Sequence, residues 1–124
     1  MRILFVCVGN SCRSQMAEGI AKFHGHDAAS AGTHPATEIS SNALTVLENM
    51  GINTDGMHPK NLDMFNVENF DLVISMGCGV ECPAIKLDDD WELADPVGQS
   101  LAVFQETARA VSYTHLTLPT SAIV

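Results

Sequence analysis

The chain has 124 residues, of which 46% are hydrophobic, and a formal net charge of −9, so it is long enough for one domain with a buried core. The acidic balance argues against a nucleic-acid-binding function, because such a function requires a basic face. No apolar run is long enough to span a bilayer, and the N-terminal segment lacks the cleavage site of a secretory signal, so we expect a cytoplasmic protein with no membrane partner.

Strand-like and helix-like segments alternate along the chain. Strands are predicted, in chain order, at residues 2–8, 27–32, 70–77 and 85–87. Helices are predicted between and after them, from Ser14 to Gly25, from Ser40 or Ser41 to Gly51, and after Pro96. This alternation predicts an α/β fold with a parallel sheet, whose functional loops lie at the carboxyl ends of the strands.

The end of the chain departs from this pattern. Residues 111–124 do not continue the apolar face of the last helix, and Pro119 lies among residues of low helix propensity. Residues 111–120 also resemble the translation of a common transposon-type sequencing adapter. We therefore assign residues 1–110 to a single domain and interpret residues 111–124 as a non-native tail, the alternative being an unusual natural C-terminus.

A short loop between the first strand and the first helix carries a cysteine and an arginine in the spacing Cys-x5-Arg. The first turn of the helix supplies unpaired N–H groups and a partial positive charge, which together favour an anion. Gly9 and Asn10 tolerate the left-handed backbone angles of a tight loop. We therefore predict an oxyanion-binding loop that consists of Val8, Gly9, Asn10, Ser11, Cys12, Arg13 and Ser14.

The cysteine at the start of this loop has the surroundings of a nucleophile. The field that attracts an oxyanion also stabilises the thiolate of Cys7, and the Ser14 hydroxyl is placed to donate a hydrogen bond to it. The guanidinium of Arg13 is a planar fork that fits two oxygens of a tetrahedral oxyanion. The alternative is a buried structural Cys7 with an incidental Arg13.

A second pair of cysteines, Cys78 and Cys82, follows the strand predicted at residues 70–77. In a chain without a secretory signal, cysteines favour catalysis or metal binding over structural disulfides. Side chains four residues apart on a helical turn are about 5–6 Å apart, so a disulfide between them requires the turn to bend. Zinc ligation by all four cysteines and inert packing are the alternatives, but zinc leaves Arg13 without a role, and we assign no metal site.

The segment CVGNSCRSQMAEG resembles the phosphate-binding P-loop of the low-molecular-weight protein tyrosine phosphatase superfamily. Its GNSCRSQMAEG part is most similar to the thioredoxin-coupled arsenate reductases, and the likeness extends through SAGTHP, DLVISMGCGVECP and WELADPVGQ to about Arg109. The resemblance implies a three-layer sandwich, in which helices flank a four-stranded parallel sheet. It also implies arsenate reduction in arsenic detoxification, or alternatively phosphate-ester hydrolysis through a phosphoenzyme on Cys7.

The resemblance also implies a disulfide relay. Arsenate binds the loop, where phosphate or sulfate would be an inert oxyanion, and Cys7 attacks the arsenic. Cys78 then attacks the Cys7–arsenic adduct and Cys82 attacks Cys78, which leaves a disulfide for thioredoxin, the electron donor, to reduce. No tightly bound cofactor is implied, and Cys12 serves only in packing.

The family places its general acid in an Asp-Pro pair, which corresponds here to Asp95 and Pro96. Proline restricts the residue before it to an extended backbone and so fixes the direction of the Asp95 carboxyl group. A helix N-cap is an alternative role for Asp95, and both roles are compatible. The acidic residues 88–90 are more typical of a solvated loop.

Some members of the family bind potassium beside this loop with residues that match Asn10, Glu18 and Ser30. The rest of that pattern is not matched, because Lys60 lies where oxygen ligands are expected. We hypothesise that the Lys60 ammonium group replaces the cation and pairs with Glu18. The alternative is an exposed lysine.

Overall fold

The computed structural model describes residues 2–76, 89–90, 96 and 99–115. The strands are β1 (Arg2–Cys7), β2 (Asp27–Gly32), β3 (Leu72–Ser75) and β4 (Asp89–Asp90). The helices are α1 (Arg13–Phe23), α2 (Ser41–Asn49) and α3 (Leu101–His115), with short 3-10 turns at Leu62–Met64 and Val67–Asn69. No helix in this described part of the chain is long and apolar enough to cross a membrane.

The four strands form one parallel sheet in the order β2-β1-β3-β4. Strand β1 pairs with β2 from Arg2–Asp27 to Cys7–Gly32, and with β3 on its other side. Its residues 3–7 are all buried, which explains why this strand is an uninterrupted apolar run rather than an alternating one. The predicted α/β class and four-stranded parallel sheet are confirmed.

The two faces of the sheet are covered differently. Side chains of α1, α2 and α3, among them Met16, Leu47 and Phe104, form one buried cluster with Ile3 and Phe5 of β1. The opposite face buries a smaller cluster under the 3-10 turns, and its members are Leu4, Val6, Ala31, Leu62 and Val73. The sheet is therefore the middle of three layers, as the family resemblance implies.

Two details of the predicted elements are wrong. The helix α3 continues to His115, because Val111, 1% exposed, packs on the same face as Phe104 and Ala108. Packing of that kind outweighs the few tenths of a kcal/mol by which Ser, Tyr and Thr disfavour a helix. That residues 111–124 are non-native stays a prediction.

The short strand β4 lies at Asp89–Asp90, in the acidic run that was expected to be a solvated loop. Its pairing with Ile74 and Ser75 of β3 provides ladder hydrogen bonds that outweigh the low strand propensity of aspartate. The strand predicted at residues 85–87 lies outside the described residues.

The ends of three strands define one edge of the sheet. Cys7, Gly32 and Ser75 are the last residues of β1, β2 and β3. Because parallel strands end on the same side, the loops that follow them are neighbours.

Candidate active site

The sulfur of Cys7 lies at the centre of a small hydrogen-bond network. Cys7 is 2% exposed, and its Sγ accepts the backbone N–H of Asn10 at 3.1 Å. Ser14 Oγ lies 2.8 Å from the same sulfur and accepts a hydrogen bond from Asn10 Nδ2 at 2.7 Å. Because Ser14 Oγ accepts this bond, its own proton can be donated to the sulfur, which would then have two hydrogen-bond donors.

The turn of the loop depends on Asn10. Its φ of 50° makes it the only non-glycine residue with positive φ in the described part of the chain, and asparagine tolerates this left-handed conformation better than most residues. The Asn10 side chain is fully buried, and its Oδ1 accepts the backbone N–H of Lys60 at 2.8 Å. The predicted left-handed turn is confirmed at Asn10, whereas the same expectation for Gly9 is wrong, because Gly9 does not have a positive φ.

Arg13 is the first residue of α1 and is 6% exposed. Its Nη1 donates to the carbonyl of Met76 at 2.9 Å, just beyond the end of β3. Cys12, at the N-cap position, makes no side-chain capping hydrogen bond to the first turn of α1. A helix N-terminus of this kind presents donors and a partial positive charge to an anion.

The segment from Thr33 to Ser40 fixes the path of the loop from outside. Its backbone N–H groups donate to loop carbonyls in four bonds of 2.8–3.2 Å, namely Thr33 to Cys7, His34 to Val8, Ala36 to Gly9 and Ser40 to Ser11. The loop carbonyls are bound on this side. The arrangement can therefore hold a tetrahedral oxyanion against the buried Cys7 sulfur, at the N-terminus of the helix that begins with Arg13.

The family model described as low molecular weight phosphotyrosine protein phosphatase matches residues 2–118. The chain belongs to this family. It is 40% identical over 111 residues to a glutaredoxin arsenate reductase of Synechocystis sp., a match that covers 84% of this chain and 85% of that protein. It is 33% identical over 113 residues to an arsenate reductase of Staphylococcus aureus, covering 83% and 84%.

The fold matches solved structures over most of its length. One is an arsenate reductase in the phosphate binding state, with a TM-score of 0.82 and 38% identity over 91% of this chain and 92% of that one. Another is an arsenate reductase in the oxidized state, with a TM-score of 0.83 and 36% identity over 94% and 95%.

The structure brings Glu18, Ser30 and Lys60 together, and the Lys60 backbone is bonded to Asn10 of the oxyanion-binding loop. Glu18 is 5% exposed, and its Oε1 accepts the Ser30 hydroxyl at 2.7 Å and lies 3.5 Å from Lys60 Nζ. Its Oε2 lies 3.0 Å from Nζ of Lys22, which is exposed. The contact that the cation-replacement hypothesis requires is present, and the replacement itself stays a prediction.

Three of the predicted site residues, Cys78, Cys82 and Asp95, lie outside the described residues. Cys12 is 3% exposed and belongs to the helix-side core, which suits a packing role. Within the described ranges, no group of three or more His, Cys, Asp or Glu residues could hold a metal ion.

Two residues that matter to the loop were missed in the sequence. Gly32 ends β2 so close to the loop that an added Cβ would lie 2.6 Å from the Val8 carbonyl oxygen and 3.0 Å from the Asn10 nitrogen. Gln15 is fully buried and contacts Asn10 through its amide. The role of Gln15 could have been suspected from the sequence, because it is a polar residue on the buried face of a predicted helix. The role of Gly32 could not, because its close approach to the loop depends on the pairing of β1 with β2.

Proposed function

We propose that the protein is an arsenate reductase that uses Cys7 as its nucleophile. The observation that carries the proposal is the sulfur of Cys7, buried at the end of β1 and bound by the Asn10 N–H and the Ser14 hydroxyl. Arg13 stands at the start of the adjoining helix. The names of the Synechocystis and Staphylococcus relatives support arsenate as the oxyanion.

The first step is the capture of arsenate and the formation of a sulfur–arsenic bond. The loop N–H groups and the Arg13 guanidinium bind the arsenate oxygens, and the Cys7 thiolate attacks the arsenic. One oxygen leaves as water after it takes a proton from Asp95. Arsenic remains in its +5 state in this adduct.

The second step reduces arsenic and oxidises two thiols. The Cys78 thiolate attacks Cys7 Sγ, the sulfur–arsenic bond breaks, and its electron pair leaves with arsenic as arsenite. Cys82 then attacks Cys78 and releases the Cys7 thiolate, which leaves a Cys78–Cys82 disulfide. Support for this proximity comes from Arg13, whose guanidinium binds the carbonyl of Met76, two residues before Cys78.

The donor that reopens the disulfide supplies two electrons as a pair of thiols. The resemblance of the loop to thioredoxin-coupled reductases favours thioredoxin. The name of the Synechocystis relative, a glutaredoxin arsenate reductase, favours glutaredoxin. NADPH consumption with arsenate, measured separately with each complete donor system, distinguishes the two, and we expect thioredoxin to support turnover.

A second candidate function is hydrolysis of phosphate monoesters, which the family description favours. A phosphatase shares the nucleophile, the arginine and the acid but has no use for Cys78 and Cys82. In the alternative reaction, Cys7 attacks phosphorus and water later hydrolyses the phosphoenzyme, with no change of oxidation state.

The two functions separate in a double variant, Cys78→Ser with Cys82→Ser. We expect it to lose arsenate-dependent NADPH consumption while it retains any hydrolysis of p-nitrophenyl phosphate. A Cys7→Ser variant is the control, because it removes both reactions. Full arsenate reductase turnover by the double variant contradicts the relay.

A further inference from the structure

Gln15 occupies an unusual place for a glutamine, the buried first turn of α1. Its side chain is 0% exposed, and its Nε2 has three oxygen atoms within hydrogen-bond reach. These are the backbone oxygen of Asn10 at 3.1 Å, Oδ1 of Asn10 at 2.9 Å and the backbone oxygen of His58 at 2.8 Å.

The orientation of this amide follows from its neighbours. If its oxygen and nitrogen exchanged places, the oxygen would face three acceptors and no donor. In the observed orientation Oε1 is buried and has no hydrogen-bond partner within the described part of the chain. Burying an unsatisfied acceptor is unfavourable. Any favourable contribution of this amide to the structure therefore comes from its donating end, the Nε2 group.

That donating end joins two segments. One is the oxyanion-binding loop, through Asn10, and the other is the stretch from His58 to Lys60, whose backbone N–H at Lys60 also binds Asn10 Oδ1. The Asn10 side chain is thereby bound by donors from both α1 and this stretch. Its backbone is held at a φ of 50°, in a region that non-glycine residues seldom occupy.

The same Asn10 touches the reacting sulfur. Its N–H donates to Cys7 Sγ and its Nδ2 donates to Ser14 Oγ. A change in the Asn10 conformation would therefore remove one donor from the sulfur and free the hydroxyl that supplies the other. Gln15 itself has no described contact with Cys7.

We propose that Gln15 is a positioning residue, whose amide holds Asn10 in the left-handed conformation that presents the loop to an oxyanion and to the Cys7 thiolate. The inference deepens the proposed function and rests on it, because it assumes that the loop captures an oxyanion. It assigns Gln15 an action through Asn10 and no contact with substrate.

The test replaces Gln15 with methionine, which has nearly the same length and no donor. The matched control is Gln105→Met, since Gln105 is exposed on α3. Binding of inorganic phosphate is measured by calorimetry, and alkylation of Cys7 by iodoacetamide is followed by peptide mass spectrometry from pH 5 to pH 9. Neither readout requires reductase turnover.

We expect Gln15→Met to weaken phosphate binding about tenfold, as for the loss of a buried hydrogen bond near 1.4 kcal/mol. We also expect the pH profile of Cys7 alkylation to move to higher pH, while Gln105→Met matches the parent protein. A role in packing alone would leave the pH profile unmoved.

The inference is overturned if Gln15→Met binds phosphate as tightly as the parent protein and shows the same pH profile of Cys7 alkylation. If that variant does not fold, Gln15→Asn takes its place, because it keeps the amide but withdraws it by one methylene, and parental values there overturn the inference equally. A parent protein that binds phosphate but never reduces arsenate refutes the proposed function and leaves the positioning role standing. A parent that binds no phosphate refutes both.

Discussion

Nη1 of Arg13 donates a hydrogen bond of 2.9 Å to the backbone carbonyl of Met76. This bond joins the first residue of α1 to the residue that follows β3. Both residues are buried. The guanidinium thus connects the loop that would bind the oxyanion with the chain that continues towards Cys78.

Replacing Arg13 with lysine tests this double role. Lysine keeps the positive charge, but its single ammonium nitrogen replaces the planar fork whose separate nitrogens can bind Met76 and an oxyanion at once. We expect phosphate affinity to fall about 10- to 100-fold, since a hydrogen bond to a charged group contributes about 1.5–3 kcal/mol. Calorimetric titration with phosphate measures the loss, and an unchanged affinity would show that the guanidinium geometry is unimportant.

Ser14→Ala removes the hydroxyl that lies 2.8 Å from Cys7 Sγ. With one donor gone from the sulfur, the thiolate is less favoured, and we expect iodoacetamide to alkylate Cys7 about 3- to 10-fold more slowly at pH 7, as for a hydrogen bond of about 1 kcal/mol. Ser41→Ala, at an exposed serine at the start of α2, is the control. Equal rates in the two variants would contradict the assignment of the serine proton to the sulfur.

Gly32→Ala tests the close approach of β2 to the loop. The new Cβ would lie 2.6 Å from the Val8 carbonyl oxygen, a backbone atom that cannot turn aside. We expect the free energy of unfolding to fall by about 1–3 kcal/mol, the usual effect of overpacking, and phosphate binding to weaken with it. The free energy of unfolding is measured by urea denaturation. The control is Gly9→Ala, whose Cβ would lie at an ordinary 3.5 Å from Ser11 Oγ. A smaller loss of unfolding free energy in Gly32→Ala than in Gly9→Ala would refute the clash.

The features that the sequence predicts well are local ones. Composition and backbone preference are enough to predict the apolar run of β1, the strand at residues 27–32 and the glycine that ends each of the first two helices. The Cys-x5-Arg spacing likewise places Cys7 and Arg13 around the N-terminus of one helix, because both lie within a single strand–loop–helix unit.

The features that sequence reasoning misses are long-range. The bond from Arg13 to Met76 and the contact of Gln15 with His58 join residues 63 and 43 positions apart. Neither is visible in hydrophobic periodicity, which reports only which face of an element is buried. The continuation of α3 through Val111 was missed for a related reason, since core packing outweighed a weak local preference.

Lys60 Nζ lies 3.5 Å from Glu18 Oε1. If this ammonium group replaces a bound cation, potassium should have no effect on the reductase rate. We expect the reductase rate of the parent protein to be the same in sodium and potassium chloride at equal ionic strength. In Lys60→Met the buried Glu18 loses a cation partner, so the protein should be less stable, and potassium should restore part of the loss more effectively than sodium.

Lys22→Met is the matched control for that experiment. Lys22 binds the same carboxylate from an exposed position, and exposed ion pairs contribute little, so we expect neither a large destabilisation nor a potassium effect. Strong activation of the parent protein by potassium would contradict the replacement of the cation by Lys60.

The measurement that tests the central claim most directly is a single turnover without any external reductant. Fully reduced protein is mixed with excess arsenate, arsenite is quantified, and disulfides are mapped by mass spectrometry. We predict about one arsenite per chain, with a disulfide between Cys78 and Cys82 in the parent protein and between Cys7 and Cys78 in Cys82→Ser. Reduced protein that binds arsenate in its loop yet forms neither arsenite nor a disulfide would contradict the account.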